Sequence, residues 1–280
     1  MNWTVKSGVA LAAVFLVAAN GAELKLETEQ AWGDYLVQAN ARMTDRIQCH
    51  FLWVDESEQR LKRVRAGEVV VAPIQPKMPI AVRHGLVHDW VGAAFIPGAR
   101  IEDVITTVRE YDRYVEFYAP EIAGVQPIER SVNPEQARDR FSLTIVNKSF
   151  FSKRGLECES VSNYVRLDEH RWYSQSRDVR IQEWAQYGTS RQYKLPEGKG
   201  TGYIWGVSSI SRFEERDGGV YVEMEAIALS RDVPVELRMV AYPIIKKVSQ
   251  SALVTSLDQT RKAVKERATI AKIDYKERQK

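Results

Sequence analysis

Hydrophobic and polar positions alternate with a period of two through most of residues 125–230, and recur at helical spacing near both ends of the chain. "TEQAWGDYLVQANARMTDRI" places Trp32, Tyr35, Leu36 and Ala39 on one helical face, and "SEQRLKRVR" predicts a second, short helix. "GEVVVAPIQP" then turns strand-like until Pro73 and Pro76 break it. "GLVHDWVGAAFIPGA" reads as a strand ending at Pro97 and Gly98, and the next segment as an amphipathic helix with Ile101, Val104, Val108 and Tyr111 on one face. Strands are predicted at 125–131, 138–148, 155–167, 171–184, 202–214 and 219–230, and a long helix over 235–268 carrying Leu237, Val240, Ile244, Val248 and Ala252. This order defines an α+β domain in which a final helix must cover an antiparallel sheet, leaving a space between them.

The turn "RDGG" sets the pairing of the last two strands. With Asp217 and Gly218 as the loop, Arg212 faces Glu223; with Gly218 and Gly219, it faces Glu225. Either register puts Arg212, Glu214, Tyr221, Glu223 and Glu225 on one face, read as the solvated side. The opposite face holds Trp205, Val207, Ser209, Ser211, Phe213, Val222, Met224, Ala226 and Ala228, and suits the side beneath the helix. Glu223 and Glu225 are therefore not expected to be a catalytic pair.

"RWYSQSRDVRIQEW" has no apolar face: Trp172, Ser174, Ser176, Asp178 and Arg180 share one side, and Tyr173, Gln175, Arg177, Val179 and Ile181 the other. A dry core does not accept such a strand. Either it is an edge in water or its inner side lines a cavity, and the second is preferred. In that case Arg180 pairs with an acidic or carbonyl head group while Trp172, Trp205 and Phe213 contact an apolar body. His88 and Trp90 are further candidates for the interior, although a lone histidine is more often structural.

Composition removes other classes. The 280 residues are 44% hydrophobic and 28% charged, with 40 basic against 37 acidic side chains and no basic, aromatic-interleaved face, so nucleic acid is not an expected partner. Residues 1–22 combine Lys6, an apolar run over 9–19 and small residues at Ala19, Gly21 and Ala22, the pattern of an export signal cleaved near 19–22. The run is short for the alternative, an uncleaved anchor. Cys49 and Cys158 are the only cysteines and lack metal-ligand spacing; one disulfide and two buried free thiols both remain open. The stretch 187–203, "YGTSRQYKLPEGKGTGY", is long and basic, as a pocket lid, a membrane-surface contact or a plain surface loop would be. No nucleophile elbow, Walker, HExxH or dinucleotide fingerprint occurs.

"HDWVGAAFIPGARIEDVITTVREYDRYVEFYAPEI" and "RFEERDGGVYVEMEAIALSRDVPVELRMVAYPIIKKVSQSALVTSLDQTRKAV" resemble the START/Bet v 1-like superfamily, also called SRPBCC or helix-grip. The resemblance covers residues 67–268 and extends to uncharacterised secreted bacterial members. It implies a curved antiparallel sheet wrapped around a long C-terminal helix, with a deep cavity for lipids or other hydrophobic molecules. Some members are cyclases, dehydratases or ring hydroxylase subunits; the absence of a metal or Rieske motif argues against the last.

The organisation expected is thus a signal peptide at 1–22, a helical extension at 23–66, a START-like domain at 67–268 and a charged tail at 269–280. The expected function is an exported, periplasmic or secreted, carrier of a lipid or similar molecule, with transient membrane contact and no cofactor or metal. The alternative is a cyclase/aromatase-type enzyme on a polyketide-like substrate, polarising a carbonyl with His88, Tyr173 or Arg180. The candidate ligand-binding residues are His88, Trp90, Trp172, Ser174, Ser176, Arg180, Trp205, Val207, Ser209, Phe213, Val222, Met224, Ala226, Ile244, Val248 and Ala252.

Overall fold

A computed structural model describes residues 21–133, 135–148 and 153–278. The expected signal peptide lies almost wholly outside the described residues. Helix α1 spans Leu26–Gln48 and the shorter α2 spans Glu58–Arg65, with a 3-10 turn at Trp53–Glu56 between them. Ser57 caps α2 by accepting a hydrogen bond from the Arg60 backbone N–H.

The main sheet follows a two-residue strand β1 (Ala22–Glu23) that precedes α1. It is built from β2 (Val70–Pro73), β3 (Ile80–Val82), β4 (Gly85–Pro97), β5 (Ile122–Glu129), β6 (Gln136–Lys148), β7 (Lys153–Arg166), β8 (Arg171–Ala185) and β9 (Tyr193–Lys194). Strand β10 (Lys199–Gly200) pairs with β1 in a separate ribbon, and β11 (Gly206–Arg216) and β12 (Gly219–Arg231) complete the main sheet. Its antiparallel order is β2-β4-β12-β11-β8-β7-β6-β5, with β3 added beside β4 and β9 beside β8. The last helix, α5, covers Arg238–Arg278 after a 3-10 turn at Val235–Leu237. This is the helix-grip architecture, with α1 and α2 added to the opposite face of the sheet.

The segment after β4 does not form the single helix expected. It divides into α3 (Ile101–Val108), a 3-10 turn (Tyr111–Arg113) and one turn of helix, α4 (Tyr114–Phe117). The cause lies in the fully buried carboxylate of Asp139. Arg109 donates to it at 2.8 and 3.0 Å, Tyr111 Oη at 3.1 Å and the Ser131 backbone N–H at 3.1 Å. Satisfying that carboxylate pulls Arg109 and Tyr111 to one side, and a buried ion left unpaired costs more than a broken helix.

Helix α5 meets the sheet at Gly92 of β4. A Cβ there would lie 2.9 Å from Leu257 Cδ1 and 3.2 Å from Leu253 Cδ2, so a bare backbone is what admits the helix. Leu253 and Leu257 are buried in one cluster with Trp90, Ala94, Ile101, Val104, Trp172, Phe213 and Val222. On the other face a second cluster joins Tyr35, Ala39 and Met43 of α1 and Val64 of α2 to Val87, Val91, Tyr221 and Ile227. Covered on both sides, β4 is buried along all but its last residue, as its near-continuous apolar sequence requires.

The β11/β12 register follows the Asp217-Gly218 turn: Arg216 pairs with Gly219 and Arg212 with Glu223. The division into two faces is as read from the sequence, but the face assigned to solvent is not wet. Arg212 and Glu223 are fully buried and Glu225 is 1% exposed. Arg212 donates to Glu223 Oε1 and Glu225 Oε2, both at 2.9 Å. Arg42 of α1 donates to Glu225 Oε1 at 3.0 Å and Asp89 Oδ2 at 2.9 Å, and Tyr35 Oη to Asp89 Oδ2 at 2.7 Å. The Val54 backbone N–H closes the network on Glu223 Oε2 at 3.2 Å. The Arg and Glu pattern of a solvated face is equally that of a buried, charge-matched interface, and α1 decides between them.

This network is testable at two of its members. Glu223→Ala leaves Arg212 buried with one partner fewer, and is expected to cost about 3–5 kcal/mol in denaturant unfolding. Burial, then the neighbouring Glu225, holds the Asp89 carboxyl above its ordinary range, against the pull of Tyr35, Arg42 and Arg212. A raised folded-state value means that this contribution to stability is full below the ordinary carboxylate range and is lost as pH rises through the raised value. Thermal melts between pH 5 and pH 8 are therefore expected to show a shallower decline for Asp89→Asn than for the unsubstituted protein.

Candidate functional site

Between the sheet and α5 lies a cavity of about 720 Å³. One end of the gap is filled by Trp90, Trp172, Phe213, Leu253 and Leu257; the other is hollow because both walls carry small side chains there. From α5 come Val248, Ser251, Ala252, Thr255 and Ser256, and from the sheet a run of serines, none long enough to meet the opposite wall. Ser251 and Ala252 are exposed and Val248 is 45% exposed although they face the sheet, which marks the helix as standing off from it over this stretch.

Most of the wall is apolar, with Phe141, Leu143, Ile145, Leu156, Ile204 and Val207 among its members. Three adjacent strands interrupt it with a polar strip. Ser160 and Ser162 of β7, Ser174, Ser176 and Asp178 of β8, and Ser209 and Ser211 of β11 all line the cavity. They are direct neighbours: Ser162 pairs with Ser176, Ser160 with Asp178, Ser176 with Ser209 and Ser174 with Ser211. Ser162 and Ser176 share a hydrogen bond at 2.5 Å, and Ser160 donates to Asp178 Oδ1. Burial raises the Asp178 carboxyl to about 7, against the opposing hydrogen bonds of Ser160 and Cys158. Burial, then Asp178, raises the Cys158 thiol, so Cys158 is not an activated nucleophile. Cys158 is buried, Cys49 exposed, and both are free. Among the described residues no group of three His, Cys, Asp or Glu side chains is disposed to hold a metal ion.

A tyrosine cluster forms another part of the wall. Tyr114, Tyr118 and Tyr164 line the cavity, and Tyr114 and Tyr164 donate to the Val108 carbonyl at 2.5 and 3.3 Å. Tyr164 Oη also lies 3.2 Å from Tyr111 Oη, which ties this wall to the buried Asp139.

Of the candidates read from the sequence, Ser174, Ser176, Val207, Ser209, Phe213, Val222, Met224, Val248 and Ala252 line the cavity. The other seven do not. Trp90 and Trp172 belong to the solid end, with Ala226 packed against it. Trp205 packs with the opposite cluster, beneath α1: β11 opens at Gly206 rather than at residue 202, so the indole falls outside the strand's alternation. Ile244 is partly buried elsewhere on α5. His88 is buried with Nε2 2.8 Å from Ser230 Oγ, and burial lowers it to about 4. It is a neutral structural residue.

Arg180 is turned away by a β-bulge. Glu159 pairs with Arg180 and Ser160 with Asp178, leaving Val179 without a partner on β7. The extra residue reverses the alternation. Asp178 points into the cavity, while Arg180 meets Glu159 on the outer face at 3.0 Å and is half exposed. Tyr173 pairs with Arg212 on the α1 side of the sheet and packs with that cluster. The polar residues missed include Asp178, the serines of β7, Ser211 and the tyrosines Tyr114, Tyr118 and Tyr164; the polar inner face of β8 signalled the first, and the run "CESVSNY" the second.

The stretch 187–203 is neither a free lid nor a plain loop. It adds β9 to the end of β8 and carries β10 to β1, with the Leu24 backbone N–H donating to Gly198 O at 2.8 Å. Tyr203 and Ile204 then border the cavity.

No family model matches the chain, and no curated protein matches it. Solved structures similar to it include a STAR-related lipid transfer protein (fragment 25-204) from Xanthomonas axonopodis, at 13% identity over 70% of this chain and 96% of that one, TM-score 0.42. Human STARD10 is 9% identical over 74% and 79%, TM-score 0.43. The Zhui aromatase/cyclase from Streptomyces sp. R1128 is 11% identical over 65% and 96%, TM-score 0.38. The architecture seen here, a strand leading to a short helix, an antiparallel run and a closing long helix over a hollow, is a helix-grip arrangement.

The raised Asp178 carboxyl generates a prediction. Its titration, followed by carboxyl 13C NMR or infrared absorption, is expected to centre near 7 and to be absent from Asp178→Asn.

Proposed function

We propose that this protein is an exported carrier that encloses an apolar small molecule, such as a lipid, between its sheet and its long helix. The observation that supports the reading is the cavity itself: about 720 Å³, walled mainly by aliphatic and aromatic side chains, in a protein whose remaining interior is closely packed. An apolar hollow lacks the contacts that a packed core would make, and a guest restores them at roughly 25 cal/mol per Å² of apolar surface removed from water. The leader-like pattern of residues 1–22 supports export, and N-terminal sequencing of the mature chain tests it. The exposed Val235 in the 3-10 turn before α5, with Met239 and Val240 at the helix start, supports a transient membrane contact.

The enzymatic alternative loses its residues. His88, Tyr173 and Arg180, invoked to polarise a carbonyl, all lie outside the cavity wall.

Native mass spectrometry after mild extraction is expected to find a bound apolar compound, identified by lipid analysis. Ser209→Trp, which puts an indole into the hollow, is expected to abolish that retention while the melting temperature stays within a few degrees. Retention undiminished by Ser209→Trp, in a folded protein, would rule the cavity out as the binding site.

A further inference from the structure

Buried carboxylates in this protein are consistently matched by arginine. Asp89, Asp139, Glu159, Glu183, Glu223 and Glu225 each have a guanidinium nitrogen within 3.0 Å. Asp178 breaks the pattern. No ion pair joins it to a basic side chain among the described residues, and its Oδ2, shielded from solvent, has no hydrogen-bond partner. Ser160 fixes Oδ1 and so orients the carboxyl, leaving Oδ2 as the uncommitted acceptor. The thiol of Cys158 beside it is a weak donor. Arg177, which also lines the cavity, is exposed and forms no ion pair with it among the described residues.

A carboxyl with one free oxygen, held against a largely apolar cavity, is costly to the fold. It is relieved by a guest that brings both a donor and a positive charge. We propose that Asp178 is the polar anchor of the cavity, and that the preferred ligand is an apolar compound bearing a protonated amine, its ammonium pairing with the Asp178 carboxylate and its apolar body lying along the aliphatic wall. The serine strip of Ser162, Ser176 and Ser209 is positioned beside Asp178 to take the remaining ammonium hydrogens, each serine oxygen being an acceptor. A neutral alcohol of the same body satisfies the hydrogen bond but not the charge, so amine and alcohol separate this chemistry from generic apolar binding.

This inference rests on the carrier reading, and its test separates the two. Dodecylamine and dodecanol, matched in their apolar parts, are titrated at pH 7.5 against the full-length mature protein loaded with the fluorescent apolar probe N-phenyl-1-naphthylamine. The expected result is at least tenfold tighter displacement by the amine, a preference reduced at least tenfold in Asp178→Asn while dodecanol affinity changes less than threefold. Equal displacement by amine and alcohol in the unsubstituted protein would overturn the amine assignment and leave the carrier reading standing. An amine preference that survives in Asp178→Asn would overturn the assignment to Asp178 in the same way. Failure of the probe and of both ligands to bind would overturn both readings. The comparison within the unsubstituted protein does not depend on whether the variant folds.

Discussion

The spacing of the whole molecule is set by one close contact, the passage of α5 over the bare backbone of Gly92. Leu253 and Leu257 pack there against β4, and a Cβ at residue 92 would collide with them. Toward the C-terminal side of this contact Ala263 and Val264 continue the buried face, whereas toward the N-terminal side Val248, Ser251 and Ala252 front open space. The helix is held at this contact and again near its start, where Ala241 is fully buried, and it bridges open space between the two. A hollow results because the residues on the bridging face, and the serines opposite, are too short to close the distance.

The two faces of the sheet handle charge in opposite ways. Beneath α1 Asp89, Glu223 and Glu225 each meet a guanidinium, with Asp89 Oδ1 alone among their oxygens left without a hydrogen-bond partner, and removing a member of this network is strongly destabilising. Under α5 the polar groups are mostly hydroxyls that satisfy one another, with a single carboxyl oxygen left over. The first face holds the N-terminal helices in place; the second lines the hollow.

Much of this was legible in the chain. The alternation through 206–231 gave the correct division into faces, and the short turn narrowed the register to two choices, of which the one with Asp217 and Gly218 as the loop is observed, because period and turn chemistry are local. The polar inner face of β8 pointed to a cavity, since hydroxyls facing a dry core would be unsatisfied. What could not be read depended on distant segments. That Glu223 and Glu225 are covered depends on Arg42, Tyr35 and Val54, which lie more than 160 residues away from them in the chain. Arg180 was misplaced because a bulge leaves no mark in a strand already polar on both sides. His88 was drawn toward the site by residue type alone, and Trp205 by carrying the β11 alternation back beyond Gly206, where the strand begins.

That bulge carries a further meaning. One unpaired residue, Val179, sends Asp178 and Arg180, two residues apart, to opposite sides of the wall. Without it, strict alternation would aim both side chains inward, and acid and base would neutralise each other across the hollow. The placement of this pair is thus encoded by a count rather than by a side chain: an insertion of a single position in β8 keeps Asp178 facing the hollow and sends Arg180 to the outer face.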